Sequence, residues 1–419
     1  MARIGQWVMA LCCILSMAAA VWADEPASAA LKSEIEDLKS RLSKLESKLA
    51  SQEATSAGAE PGNAVVQVPS GLHGIQLSGF ADTTYTYNFN APKNNINTLR
   101  VFDTRSNSFM LNSAELNIKK PVSPESPVGF RTDLAFGTDA EVVGGVTTGL
   151  GSGSDELDIQ QAFVEYLAPI GNGLDIQVGK FVTLHGAEVI KSKDDWNISR
   201  SYLFGYAIPF THTGVRATYP WSDRFSTVVG VNNGWDVVDD NNQAKTVEIG
   251  FSSTPIDKVS LGSTYMFGAE QTGNNTNQRN LLDLVAGWQP IEPLQLKLNY
   301  DYGWEDDAPG RYNNAVWQGI AGYARYALTD KLALAYRGEV FNDADGVRTA
   351  LTSPGINGIT GTQLNVWEQT LTAEYKLHEH LTGRLEYRHD QADERVFRSN
   401  KTGQRAHQDT IAMEFIAPF

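Results

Sequence analysis

Apolar and polar residues alternate along the chain from about residue 75 to its C-terminal end. In residues 411–419 every second position is apolar: Ile411, Met413, Phe415, Ala417 and Phe419. Because neighbouring side chains of a β-strand point to opposite faces, this segment predicts a strand with one apolar and one mixed face. Such a strand fits the closing strand of an outer-membrane β-barrel or a half-buried last strand of a soluble sandwich.

The same unit recurs throughout residues 75–419, as an alternating segment of about ten residues followed by a turn or a polar loop. We count sixteen such segments, among them 281–289, 315–328 and 331–341. Their connections alternate between seven short turns and eight long loops. An even-stranded membrane barrel sorts its connections in this way, whereas a sandwich does not. The pattern therefore predicts an all-β fold, a sixteen-stranded antiparallel transmembrane β-barrel over residues 75–419.

The faces of the predicted strands favour a membrane barrel over a soluble one. In segment 331–341, Leu334, Tyr336 and Val340 share one face, while Arg337 and Glu339 share the other. An apolar exterior around an ionised interior is the arrangement of a membrane barrel. Aromatic residues near segment ends predict girdles at the two membrane interfaces. These aromatic residues include Tyr85, Tyr87, Trp288, Tyr302, Trp304 and Trp317.

The N-terminal residues differ from this repeat. Residues 1–23 predict a secretory signal peptide, with a positive start, an apolar stretch from Val8 to Val21 and small residues at the cleavage site. The alternative is a retained N-terminal anchor. The chain has two cysteines, Cys12 and Cys13, and both lie in this signal. We therefore expect no disulfide and no cysteine-ligated metal in the mature protein.

Residues 24–53 carry leucine and isoleucine at alternating spacings of three and four. These positions are Leu31, Ile35, Leu38, Leu42, Leu45 and Leu49. The spacing is that of the a and d positions of a heptad repeat, and it predicts a periplasmic coiled coil. A single amphipathic helix packed on its own domain is the alternative. Residues 54–74 are rich in Ala, Gly, Ser and Pro and predict a flexible linker.

Several short stretches between residues 75 and 250 resemble the family of β-barrel porins that contains OmpL-like and DcaP-like outer-membrane channels. They are residues 77–82 (LSGFAD), 178–181 (VGKF), 199–204 (SRSYLF), 209–216 (PFTHTGVR) and 233–236 (NGWD). The resemblance implies a channel for small hydrophilic solutes in the Gram-negative outer membrane. Resemblance to the DcaP-like branch, which also carries an N-terminal coiled coil, implies a homotrimer. The resemblance does not identify the solute.

The third long loop, residues 185–209, is the best candidate for a pore constriction. Its charged residues include Lys191, Lys193, Asp194, Asp195 and Arg200. Mixed charges on a loop that enters the lumen would narrow the passage and create a transverse electric field. The alternative is an external, solvated loop, because a cluster of charges is usually a wet surface.

A second group of candidates lies on the inner faces of the predicted strands. It comprises Arg131, Arg216, Arg325, Arg337, Glu339, Arg384, Glu386 and Arg388. We predict that these residues line the pore wall and that the arginines favour anionic or carboxylated solutes. Inward acids are about as numerous as inward bases, so the pattern leaves the ion selectivity open.

Composition and motifs argue against several other functions. The formal net charge of -15 argues against nucleic acid as a partner. The chain has no G-x-S-x-G, H-E-x-x-H or P-loop motif, and its seven histidines are scattered, so we expect no enzyme, metal site or cofactor. A structural or adhesion barrel and a barrel hydrolase are the alternatives to a porin. The expected partners are outer-membrane lipid, lipopolysaccharide, and a barrel-assembly machinery that recognises Phe415 and Phe419.

Overall fold

The computed structural model describes residues 66–67, 74–146, 157–308, 314–350, 358 and 363–419. The predicted signal peptide (1–23) and coiled coil (24–53), with its heptad positions from Leu31 to Leu49, lie outside these described residues. Most of the predicted linker 54–74 lies outside them as well. The described part consists mainly of β-strands.

Within the described residues, sixteen long antiparallel strands form one sheet. In chain order, β1 to β16 are Gln76–Asn88, Ser108–Lys120, Val128–Phe136, Leu157–Ala168, Leu174–Val182, Thr211–Ser222, Phe225–Asn232, Thr246–Ile256, Val259–Ala269, Gln278–Ile291, Leu294–Glu305, Ala315–Ala327, Leu332–Asp343, Leu364–His378, Leu381–Ala392 and His407–Pro418. Each strand pairs with its neighbours in the chain, and β16 pairs with β1 with Ile411 opposite Tyr87. The sheet therefore closes, and the predicted sixteen-stranded barrel is confirmed.

The strand β13 shows how the wall divides its side chains. Leu334, Tyr336 and Val340 are 37%, 43% and 52% exposed on the outside, whereas Arg337 and Glu339 are 0% and 4% exposed on the inside. Backbone N–H and C=O groups are paired within the closed sheet, so the outer face can present apolar side chains without unpaired backbone. This is the division that a membrane barrel requires.

Short turns join the strands at one end of the barrel, and longer connections join them at the other. The longer connections are residues 89–107, 137–156, 183–210, 233–245, 270–277, 306–314, 344–363 and 393–406. The second contains helix α1, Thr138–Val146, and the last contains a hairpin of Phe397–Ser399 and Gly403–Arg405. A two-residue strand, Val66–Gln67, pairs with β1. Within the described ranges, none of the helices has the length and apolar character needed to cross a bilayer.

An apolar cluster fills part of the lumen at the long-loop end. Tyr202 and Phe204 from the connection 183–210 belong to this cluster together with the wall residues Trp317 and Phe341, and all four are at most 2% exposed. Trp317 donates from its Nε1 to the carbonyl of Ala207 (3.0 Å). The prediction that Trp317 belongs to an outer aromatic girdle is therefore wrong, because this residue falls on the inward side of β12.

Candidate functional site

Residues 183–210, called the inserted loop below, connect β5 to β6 through the interior of the barrel. Every residue from Asn197 to Phe210 is buried. Short helical turns occur at Ser192–Asp194 and Leu203–Ala207. A segment with so little regular structure leaves many backbone N–H and C=O groups that need other partners. The ionised inner wall of the barrel supplies these partners.

Carboxylates of the inner wall accept hydrogen bonds from backbone amides of the inserted loop. On β15, Glu386 accepts from Ile198 (2.6 Å) and Ser199 (3.0 Å). On β13, Glu339 accepts from Tyr202 (2.5 Å). Hydrogen bonds with one ionised partner are about twice as strong as neutral ones. These two predicted wall residues therefore fix the middle of the loop.

Arg337 on β13 joins the inserted loop to two strands of the wall. Its Nη1 donates to Glu188 (2.6 Å) and to the carbonyl of Ser199 (2.5 Å), and its Nε donates to Glu368 on β14 (2.8 Å). The side chain is 0% exposed. Burying a guanidinium is costly unless opposite charges and hydrogen bonds compensate it. Here two carboxylates and a carbonyl do so, and one carboxylate belongs to the loop.

Arg384 and Arg388 on β15 bind the inserted loop through its carbonyl groups. Arg384 donates to the carbonyls of Ser192 (2.9 Å) and Asp195 (2.8 Å), and Arg388 donates to that of Arg200 (2.6 Å). Arg384 also pairs with Glu374 on β14 and with Glu414 on β16. Arg388 pairs with Asp390 on its own strand. The strands β13, β14 and β15 are called the anchoring wall below.

The inserted loop also contacts strands on other sides of the barrel. Lys191 donates to Asp133 on β3 (2.9 Å). Near the start of the loop, the amide of Gly186 donates to Asp283 on β10 (3.1 Å). Contacts with β3, β10 and the anchoring wall place the loop across the lumen.

The five charged residues singled out in this loop fall into two groups. Lys191, Asp195 and Arg200 form ion pairs in the barrel interior. Lys191 Nζ lies 2.9 Å from Oδ2 of Asp133 on the wall, and Asp195 Oδ2 lies 2.9 Å from Arg200 Nε within the loop. Burial raises the pKa of Asp195 to about 7. Lys193 and Asp194 pair with each other (2.8 Å), and the Asp194 side chain is 49% exposed. The role of these five residues in a constriction stays a prediction.

The other arginines predicted for the pore wall pair with carboxylates of the same strand or of a nearby strand. The pairs are Arg131 with Asp133 (2.9 Å), Arg216 with Glu248 (3.0 Å) and Arg325 with Glu374 (2.8 Å). The side chains of Arg131 and Arg325 remain 30% and 24% exposed, respectively. These two arginines are therefore more accessible than the three that anchor the loop.

Sequence reasoning missed Glu188 and Glu368, the two carboxylates that neutralise Arg337. Glu368 follows the alternating pattern of β14, so that pattern could have identified it as an inward residue. Glu188 lies 149 residues from Arg337 in the chain. No local spacing connects the two, so only the folded barrel reveals their contact.

Open space remains on the side of the lumen formed by β6 to β11, called the open side below. A cavity of about 300 Å³ lies there beside the start of the inserted loop. A second cavity of about 540 Å³ adjoins it, and Gly186 and Val285 line both. Small residues provide much of the wall of the first cavity, among them Thr218, Ser226, Ser252, Gly262 and Thr264.

Two lysines line the second cavity. Lys297 on β11 has its Nζ 4.4 Å from the ring centroid of Trp196 in the inserted loop. Lys258 lies in the turn between β8 and β9. Neither Asp nor Glu is among the described residues that line this cavity. The two lysines of this cavity therefore have fewer carboxylates beside them than the arginines of the anchoring wall have.

Comparison with known families matches the whole barrel. A family model described as "putative beta-barrel porin-2, OmpL-like" matches residues 74–419. A comparison with curated protein sequences found no match.

Solved outer-membrane structures share the fold at low sequence identity. The anion-selective porin from Comamonas acidovorans is 10% identical, with a TM-score of 0.54 that covers 82% of this chain and 99% of that one. The outer membrane channel DcaP of Acinetobacter baumannii is 12% identical, with a TM-score of 0.52 that covers 82% and 97%. The trimer form of OmpT, an outer membrane protein of Vibrio cholerae, is 12% identical, with a TM-score of 0.54 that covers 82% and 99%. At these identities the likeness shows the fold alone.

Proposed function

Because the chain belongs to the OmpL-like family of β-barrel porins, we propose that it lets small hydrophilic solutes diffuse passively across the outer membrane and has no enzymatic activity. The family implies the Gram-negative outer membrane as the location. One observation carries the proposal. A barrel with an apolar exterior holds the inserted loop across its lumen, bound most extensively to the anchoring wall, and leaves space beside β6 to β11.

The proposed route runs along the open side. Sixteen strands enclose a lumen wide enough for water, but the inserted loop and the apolar cluster occupy part of it. The remaining space adjoins small polar side chains such as Ser226, Ser252 and Thr264. Small hydroxyl groups exchange hydrogen bonds with passing solutes and take up little volume. In this proposal, the charged loop residues 191–200 define the constriction by holding the loop in place.

A preference for anionic or carboxylated solutes is the finer part of the proposal. Lys258 and Lys297 line the larger cavity, and no carboxylate is among its described lining residues. Charges of one sign along a narrow passage raise the local concentration of the opposite ion. Arg337, Arg384 and Arg388 contribute less to selectivity, because each is buried in ion pairs. Their main role is to position the inserted loop.

We further propose a homotrimer, with the predicted coiled coil 24–53 in the periplasm as an additional contact. The description of the similar OmpT structure as a trimer form supports this assembly. Phe415 and Phe419 on the outside of the barrel are 41% and 49% exposed. This exposure is compatible with recognition by the barrel-assembly machinery. The apolar outer face would then contact outer-membrane lipid and lipopolysaccharide.

Reconstitution of the folded protein in planar lipid bilayers tests the channel function. We expect stepwise increases in conductance, often in groups of three if the trimer inserts as a unit. Heat-modifiable migration in gels serves as the control for a folded barrel. Folded protein that gives no conductance steps at any voltage would contradict the proposed porin function and favour a structural or adhesion role.

A further inference from the structure

Three buried side chains with metal-ligating atoms meet where the inserted loop leaves β5. His185 belongs to the loop, His212 to β6 and Glu248 to β8. Their exposed fractions are 2%, 0% and 0%, respectively. One ligand atom from each residue lies within 4.8 Å of the ligand atoms of the other two. The three residues have no motif spacing in the sequence, and the fold alone brings them together.

The ring of His185 is polar and buried without compensation. Neither its Nδ1 nor its Nε2 has a hydrogen-bond partner in the part of the chain that the structure describes. Most buried side-chain polar atoms in folded proteins have such a partner, so this ring needs an explanation. A neutral imidazole has one ring nitrogen with a lone pair, which can bind a metal ion.

The second histidine is oriented for ligation. The Nδ1 of His212 lies 3.3 Å from the carbonyl oxygen of Gly234, which can only accept a hydrogen bond. This contact places the proton on Nδ1 and the lone pair on Nε2, which lies 3.2 Å from Oγ1 of Thr183 and would exchange that hydroxyl for the ion. Metal-bound histidines commonly donate their other ring N–H to a carbonyl or carboxylate in this way.

The carboxylate of Glu248 completes the donor set. Its Oε2 lies 3.0 Å from Nη2 of Arg216. A Cβ atom at Gly230 would come within 3.0 Å of the same oxygen, so glycine on β7 leaves room for this carboxylate. Arg216 also contacts the ring of Phe181 (4.1 Å to the centroid) and would keep that contact if Glu248 turned toward an ion.

We propose that His185, His212 and Glu248 bind one divalent transition-metal ion, Zn²⁺ in the first instance, which fastens the start of the inserted loop to the barrel wall. Two imidazoles and a carboxylate are a donor set that suits zinc and related first-row metals, whereas Ca²⁺ and Mg²⁺ prefer oxygen ligands. Water would occupy the remaining coordination position. The nearby guanidinium of Arg216 opposes a cation, so ligation must come from the lone pairs and not from excess negative charge.

The required movement is small. Bonds of about 2.0–2.1 Å place the ligand atoms of a tetrahedral zinc site about 3.4 Å apart. The ligand atoms here lie within 4.8 Å of one another, and side-chain rotation of His185 on its loop can close the difference. Leu184 and Gly186, on either side of His185, line the cavity of about 300 Å³. The ion would therefore fix the edge of the proposed route, although binding itself does not depend on the channel function.

The test uses full-length folded protein in detergent, treated with EDTA and then titrated with ZnCl₂ in a calorimeter. We expect one ion per chain and visible absorption bands of a four- or five-coordinate ion when Co²⁺ replaces Zn²⁺. His185→Gln and Glu248→Gln should each weaken Zn²⁺ binding at least about tenfold, since even outer-shell partners change affinity by 10–100-fold. Zn²⁺ should also slow amide hydrogen exchange in residues 183–188 of the unaltered protein, but not of His185→Gln.

The control is the double variant His378→Gln, His380→Gln. These two histidines lie at an exposed turn with ring centroids 5.9 Å apart, where a surface ion could bind. This variant should keep the calorimetric site and the Co²⁺ spectrum. The proposed site would be overturned by loss of Zn²⁺ binding in this variant or by unchanged Zn²⁺ binding in His185→Gln. Absence of the Co²⁺ bands in the unaltered protein would overturn it as well. Binding without slower exchange in residues 183–188 would overturn the fastening role.

Discussion

The anchoring wall and the open side are parts of the same barrel interior with opposite chemistry. On the anchoring wall, Arg337, Arg384 and Arg388 are each bound to carboxylates and to the inserted loop. On the open side, small residues and Asp283 line the first cavity, and Lys297 lines the second. An arginine that is fully paired exerts only a weak electric field on a passing solute. A lysine beside a cavity exerts a stronger one. A charged inner wall is therefore not the same as a pore lining.

The largest effect should come from removing an anchor. Arg337→Ala removes the guanidinium that both Glu188 and Glu368 contact, and only Glu368 keeps a second arginine, Arg388 at 3.6 Å. Loss of one partner of a buried ion pair costs about 3–5 kcal/mol. We expect the inserted loop to detach, the single-channel conductance to rise, and trypsin to cleave after Lys191 or Arg200. Mass spectrometry of the digested, membrane-inserted protein detects this cleavage.

Arg325→Ala is the matched control for the anchor variant. Arg325 pairs with Glu374 (2.8 Å) on the same side of the barrel, but its side chain is 24% exposed. We expect the inserted loop of the Arg325→Ala variant to resist trypsin as it does in the unaltered protein. Equal resistance in the Arg337 variant would mean that the anchoring wall does not hold the loop.

The next largest effect should come from filling the open side. Gly262 lines the cavity of about 300 Å³, and a Cβ built on it meets no atom nearer than 3.9 Å. A tryptophan carries about 200 Å² of surface, so Gly262→Trp should reduce single-channel conductance by about half or more. Gly322→Trp is the control, because Gly322 alternates with the buried residues Ala321 and Tyr323 and so faces outward. Similar conductance in both variants would place the route elsewhere.

A smaller effect should appear in ion selectivity. Lys297→Gln removes a charge that lines the larger cavity while keeping a long side chain. The reversal potential in a salt gradient should shift toward cation preference. Lys331→Gln, at an exposed turn between β12 and β13, should leave it unchanged. If both variants behave alike, Lys297 has no part in selecting the solute.

The smallest effect concerns pH. Burial raises the pKa of Asp195 to about 7 in the docked loop, from an ordinary value of 3.8. The docked loop therefore binds a proton more readily than a detached one, and this contribution to stability is lost as pH rises through about 7. After correction for intrinsic rates, the amide of Val189, which donates to Asp195 (3.0 Å), should exchange faster at pH 8.5 than at pH 5.5. Asp195→Asn should flatten this dependence, and an equally steep profile would assign it to another group.

The barrel itself could be predicted from the sequence because each strand carries its own pattern. Alternation located β13 closely, at Leu332–Asp343 against the predicted 331–341. It was less successful for β10, which begins at Gln278 and not at 281. Polar residues such as Gln278 and Arg279 show no apolar alternation, and they join the strand through pairing with the neighbouring strands β9 and β11.

The candidate site was less predictable, because its contacts connect distant parts of the chain. The inward direction of Arg337 and Arg384 follows from strand alternation, but the bonds of Arg337 to Glu188 and of Arg384 to the Ser192 carbonyl do not. The sequence pattern does not predict helix α1, Thr138–Val146, because two of its nine residues are glycines with poor helix propensity. The histidine and glutamate cluster has no local signature at all.

Accessibility of single cysteines during conductance measurements tests the two sides of the lumen most directly. The two native cysteines lie in the predicted signal peptide, so Ser252→Cys on the open side and Thr370→Cys on the anchoring wall can be compared without background. A charged thiol reagent should reduce the current through the Ser252→Cys channel and leave the Thr370→Cys channel unchanged, because Thr370 is 1% exposed. Block of the Thr370→Cys channel, with no effect on the Ser252→Cys channel, would contradict a route along the open side.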